Sequence, residues 1–96
     1  MNYILLSGAK DDIRESFKFY NEEQPGLGLS FSRNVRSAIE KITEFPQAWP
    51  KLGRKFRKCQ VERFPFIIVY AIQESQIVVI AVAHQKRRPG YWKNRL

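Results

Sequence analysis

Residues 64–92 read FPFIIVYAIQESQIVVIAVAHQKRRPGYW. An apolar run from Phe66 to Ile72 is followed by the short polar stretch Gln73–Gln76 and by a second apolar run from Ile77 to Ala83. Two such runs joined by a few turn residues form a β-hairpin. Their density of valine and isoleucine suits pleated strands better than a helix. The second strand ends in His84, and Gln85, Lys86, Arg87, Arg88, Pro89, Gly90, Tyr91 and Trp92 follow it. The hairpin thus delivers the only histidine, three basic residues and two aromatics to one end of a sheet. Within that second strand Ile77, Val79, Ala81 and Ala83 alternate with Val78, Ile80, Val82 and His84. Both sets are almost wholly apolar, which predicts an interior strand covered on both faces.

Working outward, RKFRKCQVERF (54–64) alternates loosely, with Phe56, Cys59 and Val61 apolar. It reads as a further strand, with Lys55, Arg57, Lys58 and Arg63 facing solvent or a ligand. QAWPKLG (47–53) reads as a loop. Leu27, Phe31, Val35, Ala38, Ile39, Ile42 and Phe45 form one stripe of an amphipathic helix that Pro46 ends. Its start falls near Gly28 or Ser30. Ile13, Phe17 and Tyr20 mark a shorter helix from Ala9, stopped by Pro25-Gly26. Asp11, Asp12 and Glu15 are expected in its first turns, where the helix dipole favours negative charge. Asn2 to Leu6 reads as a strand broken by Ser7 and Gly8. The order is therefore β-α-α-β-β-β, an α+β chain with a helical hairpin packed on a mainly antiparallel four-stranded sheet.

Ninety-six residues suit a single domain, 1–96. No apolar run approaches the ~20 residues of a membrane-spanning helix, and the first ten residues lack the pattern of a signal peptide. A cytoplasmic location is expected, with no membrane partner. The lone Cys59 has no internal disulfide partner. Residues 1–50 carry six Lys/Arg against seven Asp/Glu, a net −1, whereas residues 51–96 carry eleven against two, a net +9. The net charge of +8 therefore belongs to the second half, a field that attracts a polyanion such as nucleic acid or an acidic protein segment.

One histidine, one cysteine and no clustered carboxylates leave no metal signature. No phosphate-cradling glycine motif is present, and no cofactor is expected. What remains is the basic-aromatic set. Cations neutralise phosphates, and tyrosine or tryptophan stacks on bases. His84, Arg87 and Tyr91 are chemically competent for RNA cleavage, which needs a base, a cation for the charged phosphorane and an acid. The same residues also suit plainer roles: a hydrogen-bonded histidine at a strand end, and aromatics that pack the tail onto the sheet.

AKDDIRESFKFY, QPGLGLSF, IEKITEFPQAWP, VERFPFIIVY and IVVIAVAHQKRRPGYW, spread over nearly the whole chain, resemble the RelE/ParE superfamily of toxins from bacterial type II toxin–antitoxin systems. The last two stretches are the most specific. The resemblance implies two N-terminal helices on a curved sheet, no cofactor and a cognate acidic antitoxin. It also implies one of two targets: the RelE-like branch cleaves mRNA in the ribosomal A site, and the ParE-like branch poisons DNA gyrase. The RelE-like branch uses two arginines and a tyrosine. The first arginine position corresponds to Ile67, the second to Gln85 with Arg87 close by, and the tyrosine to Tyr91. The run ending at His84 is more similar to the ParE-like branch. On this reading Lys86, Arg87, Arg88, Tyr91 and Trp92 meet the target, and Lys55, Arg57, Lys58 and Arg63 meet the antitoxin. A gyrase-directed toxin is the leading expectation, with the mRNA endonuclease and a non-toxic nucleic-acid-binding module as alternatives.

Overall fold

The computed structural model describes residues 1–96. In chain order it contains β1 (Tyr3–Leu5), α1 (Ser7–Glu23), α2 (Leu27–Glu44), β2 (Lys51–Leu52), β3 (Phe56–Gln60), β4 (Phe66–Gln73) and β5 (Gln76–His84), and a short 3₁₀ turn at Lys93–Arg95. The strands form one sheet in the order β1-β5-β4-β3-β2. That is one strand more than expected. Lys51 and Leu52, read from sequence as loop, pair antiparallel with Arg57 and Phe56. Two residues are too few to carry a period-two pattern, so this strand left no signal. β1 runs parallel to β5, and the other neighbours are antiparallel. β5 lies between β1 and β4, the interior place that its two apolar sets require.

The alternation along β5 does not run unbroken. Val69 faces Ala81 and Tyr70 faces Val79, which leaves Ile80 as an extra residue. Such a β-bulge reverses the facing of every residue beyond it. Ile77, Val79 and Val82 accordingly look into the helix-side core, and Val78, Ile80, Ala81 and Ala83 lie on the other face. The expected grouping of Ala81 and Ala83 with Ile77 and Val79 is corrected by that single residue.

α2 supplies the core of the covered face. Phe31, Val35, Ala38, Ile39 and Ile42 are buried against Ile68, Tyr70, Ile77 and Val79. Phe45, expected on the same stripe, is 63% exposed. It is the C-cap, at φ −134° and ψ 68°, where the chain has already left the helical path. Gly26 caps the start of α2 at φ +91°, a conformation in which a side chain is strained, and Gly28 lies inside the helix. α1 begins at Ser7 rather than Ala9, because Leu6 accepts the Lys10 N–H and brings Ser7 and Gly8 into the first turn. Asp11, Asp12 and Glu15 therefore fall beyond that turn. Tyr20, Phe31, Phe64 and Phe66 meet at centroid distances of 4.8–6.1 Å, mostly edge-on, the geometry that ring quadrupoles favour. The Tyr70 hydroxyl donates to Pro46 O at 2.6 Å and ties the loop after α2 to the sheet.

Candidate functional site

The sheet face turned away from the helices is closed by the chain's own tail. Trp92, 5% exposed, packs edge-on to Phe56 at 5.0 Å and joins Val69, Ile80, Ala81 and Ala83. Trp92 was expected to meet a target. Its indole is largely taken up in this second apolar cluster, because leaving so large a ring in water forgoes its burial, and its edge lines the groove described next. Phe56 belongs to the same side. Cys59 and Val61, read together with it from the sequence, point to the helix side.

Between the β2–β3 turn and the tail lies a groove of about 920 Å³. Arg54, Lys55 and Lys58 line one wall, and Arg87, Arg88 and Lys93 the other. Its lining includes Ile67, Phe56, Ala83 and Tyr91, and no carboxylate. Two sets kept apart in the sequence reading thus share one groove: Lys55 and Lys58 from the antitoxin set, and Arg87, Arg88 and Tyr91 from the target set. Three residues of those sets stand elsewhere. Arg57 is turned to the other side of β3, where it donates to Trp49 O at 2.7 Å and Gln47 O at 3.2 Å and holds the loop before β2. Arg63 sits in the β3–β4 turn at φ 68°, outside the groove lining. Lys86 is exposed and also outside it.

The tail is held by a carboxylate that was expected in the first turns of α1 for its interaction with the helix dipole. Asp12 is 5% exposed. Its Oδ2 accepts from Arg95 at 2.7 Å, from the Val82 N–H at 3.0 Å and from the Tyr91 hydroxyl at 3.3 Å, and its Oδ1 accepts from Arg95 at 3.2 Å. Arg95 donates also to Ile80 O at 3.1 Å. Beyond the end of β1, then, the exposed edge of β5 at its bulge is satisfied by one Asp–Arg pair instead of a strand. A buried charge is tolerable only when paired in this way. Gly8 makes room for the pair, because a Cβ there would come within 2.7 Å of Arg95 Nε. Asp12 does have a sequence signal. It lies three residues after Ala9 and one before Ile13, on the inward side of α1, where an acidic residue needs a partner.

These contacts fix the chemistry of the groove wall. Burial first, and then the neighbouring Asp12, push the Tyr91 hydroxyl above its ordinary pKa, so it stays protonated and bonded to Asp12. Arg87 stacks on the Tyr91 ring at 3.7 Å and reaches Asp12 Oδ1 at 3.8 Å, while remaining 51% exposed. The His84 Nδ1 accepts the Lys86 N–H at 3.0 Å, and its ring packs edge-on to Phe66 at 4.9 Å. Gln85 donates to Gln60 Oε1 at 2.8 Å, and Gln60 in turn donates to Val61, Phe64 and Phe66 carbonyls. Burial pushes the Cys59 thiol up to about 11, which keeps it neutral and inert. The groove therefore offers positive charge and aromatic surface for binding. The Tyr91 hydroxyl and the His84 Nδ1 are engaged with the protein itself.

Two helices thus cover one face of a mainly antiparallel sheet, and a basic groove lies under a strapped tail on the other. The same fold is found in a solved structure, described as the chromosomal ParDE TA system from P. aeruginosa. It superposes with a TM-score of 0.71 over 88% of this chain and 95% of that one, at 16% identity. The chain is also similar to Toxin ParE2 of Mycobacterium tuberculosis, strains CDC 1551 / Oshkosh and ATCC 25618 / H37Rv. Each is 24% identical over 85 residues, covering 88% of this chain and 81% of the relative. A family model described as ParE toxin of type II toxin-antitoxin system, parDE, matches residues 3–89, from β1 into the tail. The chain belongs to this ParE toxin family.

Proposed function

We propose that this chain is the growth-arresting member of a toxin–antitoxin pair, that it acts in the cytoplasm by binding DNA gyrase, and that a cognate acidic antitoxin neutralises it. The observation that carries the gyrase reading is the state of the groove. The position given to a charge-stabilising arginine in RNA-cleaving relatives is Ile67, a half-buried apolar residue of the lining. The tyrosine position is Tyr91, whose hydroxyl is bonded to Asp12. Loss of one preorganised donor costs ~10²–10³ in rate, so a groove built this way is a poor ribonuclease and a serviceable binding surface. The net +9 of residues 51–96 supports an acidic partner. Lys55, Lys58, Arg87 and Arg88 are the residues proposed to meet target and antitoxin in the shared groove.

Purified protein should inhibit gyrase supercoiling and leave ribosome-bound mRNA intact. Arg87→Ala should weaken inhibition, whereas His84→Gln should matter little. Toeprints showing mRNA cut in the A site by the wild-type protein, with supercoiling untouched, would reverse the assignment in favour of the endonuclease.

A further inference from the structure

The geometry points to a further binding activity: the groove beneath the tail holds a single strand of nucleic acid, with phosphates on its two basic walls and a base on the Arg87–Tyr91 stack, and does not cut it. This deepens the proposed function only in one respect, that a toxin bound to a DNA-handling enzyme has a strand within reach.

Three observations meet in this groove. Its walls carry six cations from two separate segments, Arg54, Lys55 and Lys58 facing Arg87, Arg88 and Lys93, with no acidic residue among them. Opposed rows of that kind track a polyphosphate backbone that runs between them. Asp12, the nearest buried carboxylate, is occupied by Arg95 and lies behind Tyr91. It anchors the wall and partly offsets Arg87, at 3.8 Å, while the other five groove cations have no carboxylate beside them in the lining. The second observation is the stack itself. The Arg87 guanidinium carbon sits 3.7 Å over the Tyr91 ring, a separation typical of stacked planes, and the side chain is half exposed. The ring covers part of the guanidinium, and half of the Arg87 side chain stays open to solvent in the groove lining. A planar cation already backed by an aromatic is a platform for a nucleobase. Arg95 lies 5.0 Å from the same ring.

The third observation is the apolar and aromatic surface of Phe56, Ile67 and Tyr91 between the walls. Stacking on such a surface needs bases that are already unpaired. A duplex keeps its base faces stacked inside and presents phosphates and groove edges. An acidic peptide, such as the proposed antitoxin, matches the charge and would compete for the walls, but its carboxylates do not stack on the Arg87 platform as a base does. The observations therefore favour a single strand over both. The chemistry is common to DNA and RNA, because phosphates and base faces are shared by both.

Fluorescence anisotropy tests this with the full chain and labelled oligothymidylate and oligouridylate of about twelve nucleotides. A hairpin duplex and a poly-glutamate peptide of equal charge are the competitors. Both single strands should bind, and a rise from about 50 to about 200 mM KCl should weaken binding roughly 20- to 50-fold if three or four phosphates are neutralised. Lys58→Ala and Arg88→Ala should each lower the salt slope by about 0.7. Arg87→Ala should weaken binding roughly five- to hundredfold through the lost stack. Arg36→Ala, on the exposed side of α2, should change nothing, and circular dichroism should confirm that all variants are folded. Preference for one single strand over the other would assign the natural ligand to DNA or RNA within the proposal. Poly-glutamate is expected to compete through the basic walls, as the proposed antitoxin does, and to be less sensitive than the strand to Arg87→Ala; equal sensitivity would remove the base platform and overturn the inference. Equal losses from Arg36→Ala, or a duplex bound as well as a single strand, would reduce the effect to general surface charge and overturn it too. Failure of strand binding with gyrase inhibition intact would remove this inference and leave the toxin reading standing. Strand binding without gyrase inhibition would do the opposite.

Discussion

The two faces of the sheet are closed by different physics. On the helix face α2 lays a continuous apolar stripe on the sheet, and Phe31, Ile42, Ile68, Ile77 and Val79 are all fully buried. The other face has no helix. An irregular tail covers it, with one indole in the apolar cluster and one Asp–Arg pair as the fastening. Non-directional burial over a large area tolerates small errors, whereas a single hydrogen-bonded charge pair does not. The helix face therefore sets the stability of the fold, and the tail face sets the shape of the groove.

Substitutions can separate the two. The largest loss is expected from Phe31→Ala, about 3–5 kcal/mol in urea denaturation, because the ring is fully buried and touches three other aromatics. Asp12→Asn should cost less, about 2–3 kcal/mol, since Arg95 retains some solvent contact and can regain water. Its effect should be local. Hydrogen exchange should rise across residues 86–95 with helix protection unchanged. Uniform loss of protection would mean that the two faces are not separable.

Tyr70→Phe should cost about 0.5–1.5 kcal/mol, one hydrogen bond to Pro46, and should alter the response to alkali. Burial pushes the Tyr70 hydroxyl from 10.0 up to about 12 and the Cys59 thiol from 9.0 up to about 11. The folded chain keeps these protons where the unfolded chain releases them. Their contribution is thus complete below pH 9 and is lost as pH rises through about 11 and then about 12. Stability measured from pH 8 upward should decline above 9, and Tyr70→Phe should flatten the upper part of that decline. The smallest effect is expected from Lys41→Ala, which removes an exposed pair with Glu62 at 2.8 Å. Thermal unfolding should not move measurably, because water and salt screen such pairs.

Most of the helix face was legible in the sequence. Its signal is periodic, and α2 and the β4–β5 hairpin are long enough to display the period. The groove face was legible only in its composition. His84, Arg87, Arg88 and Tyr91 were found as a cluster because they are adjacent in sequence. Their meeting with Lys55 and Lys58 depends on how the β2–β3 turn faces the tail, which no local pattern encodes. The burial of Trp92 was not legible, because an aromatic after a basic run looks the same whether it faces a ligand or the core. Asp12 was missed because its partners Tyr91, Arg95 and Val82 are 79, 83 and 70 residues away. The bulge at Ile80 is a one-residue event inside an unbroken apolar run, where every register looks equally good.

The distance along the chain between Asp12 and Arg95 also orders events in time. Contacts that close long loops form late, after local ones have reduced the entropy to be lost. The β4–β5 hairpin turns at Glu74 and Ser75 and needs no distant partner, and the two helices meet across only Gln24–Gly26. Both can form early. The strap across 83 residues must wait until β5 is bulged and docked beside α1. A refolding chain should therefore recover its helical signal before it recovers a competent groove. A chain that opens part-way should shed its binding surface first, with the helices and hairpin still standing.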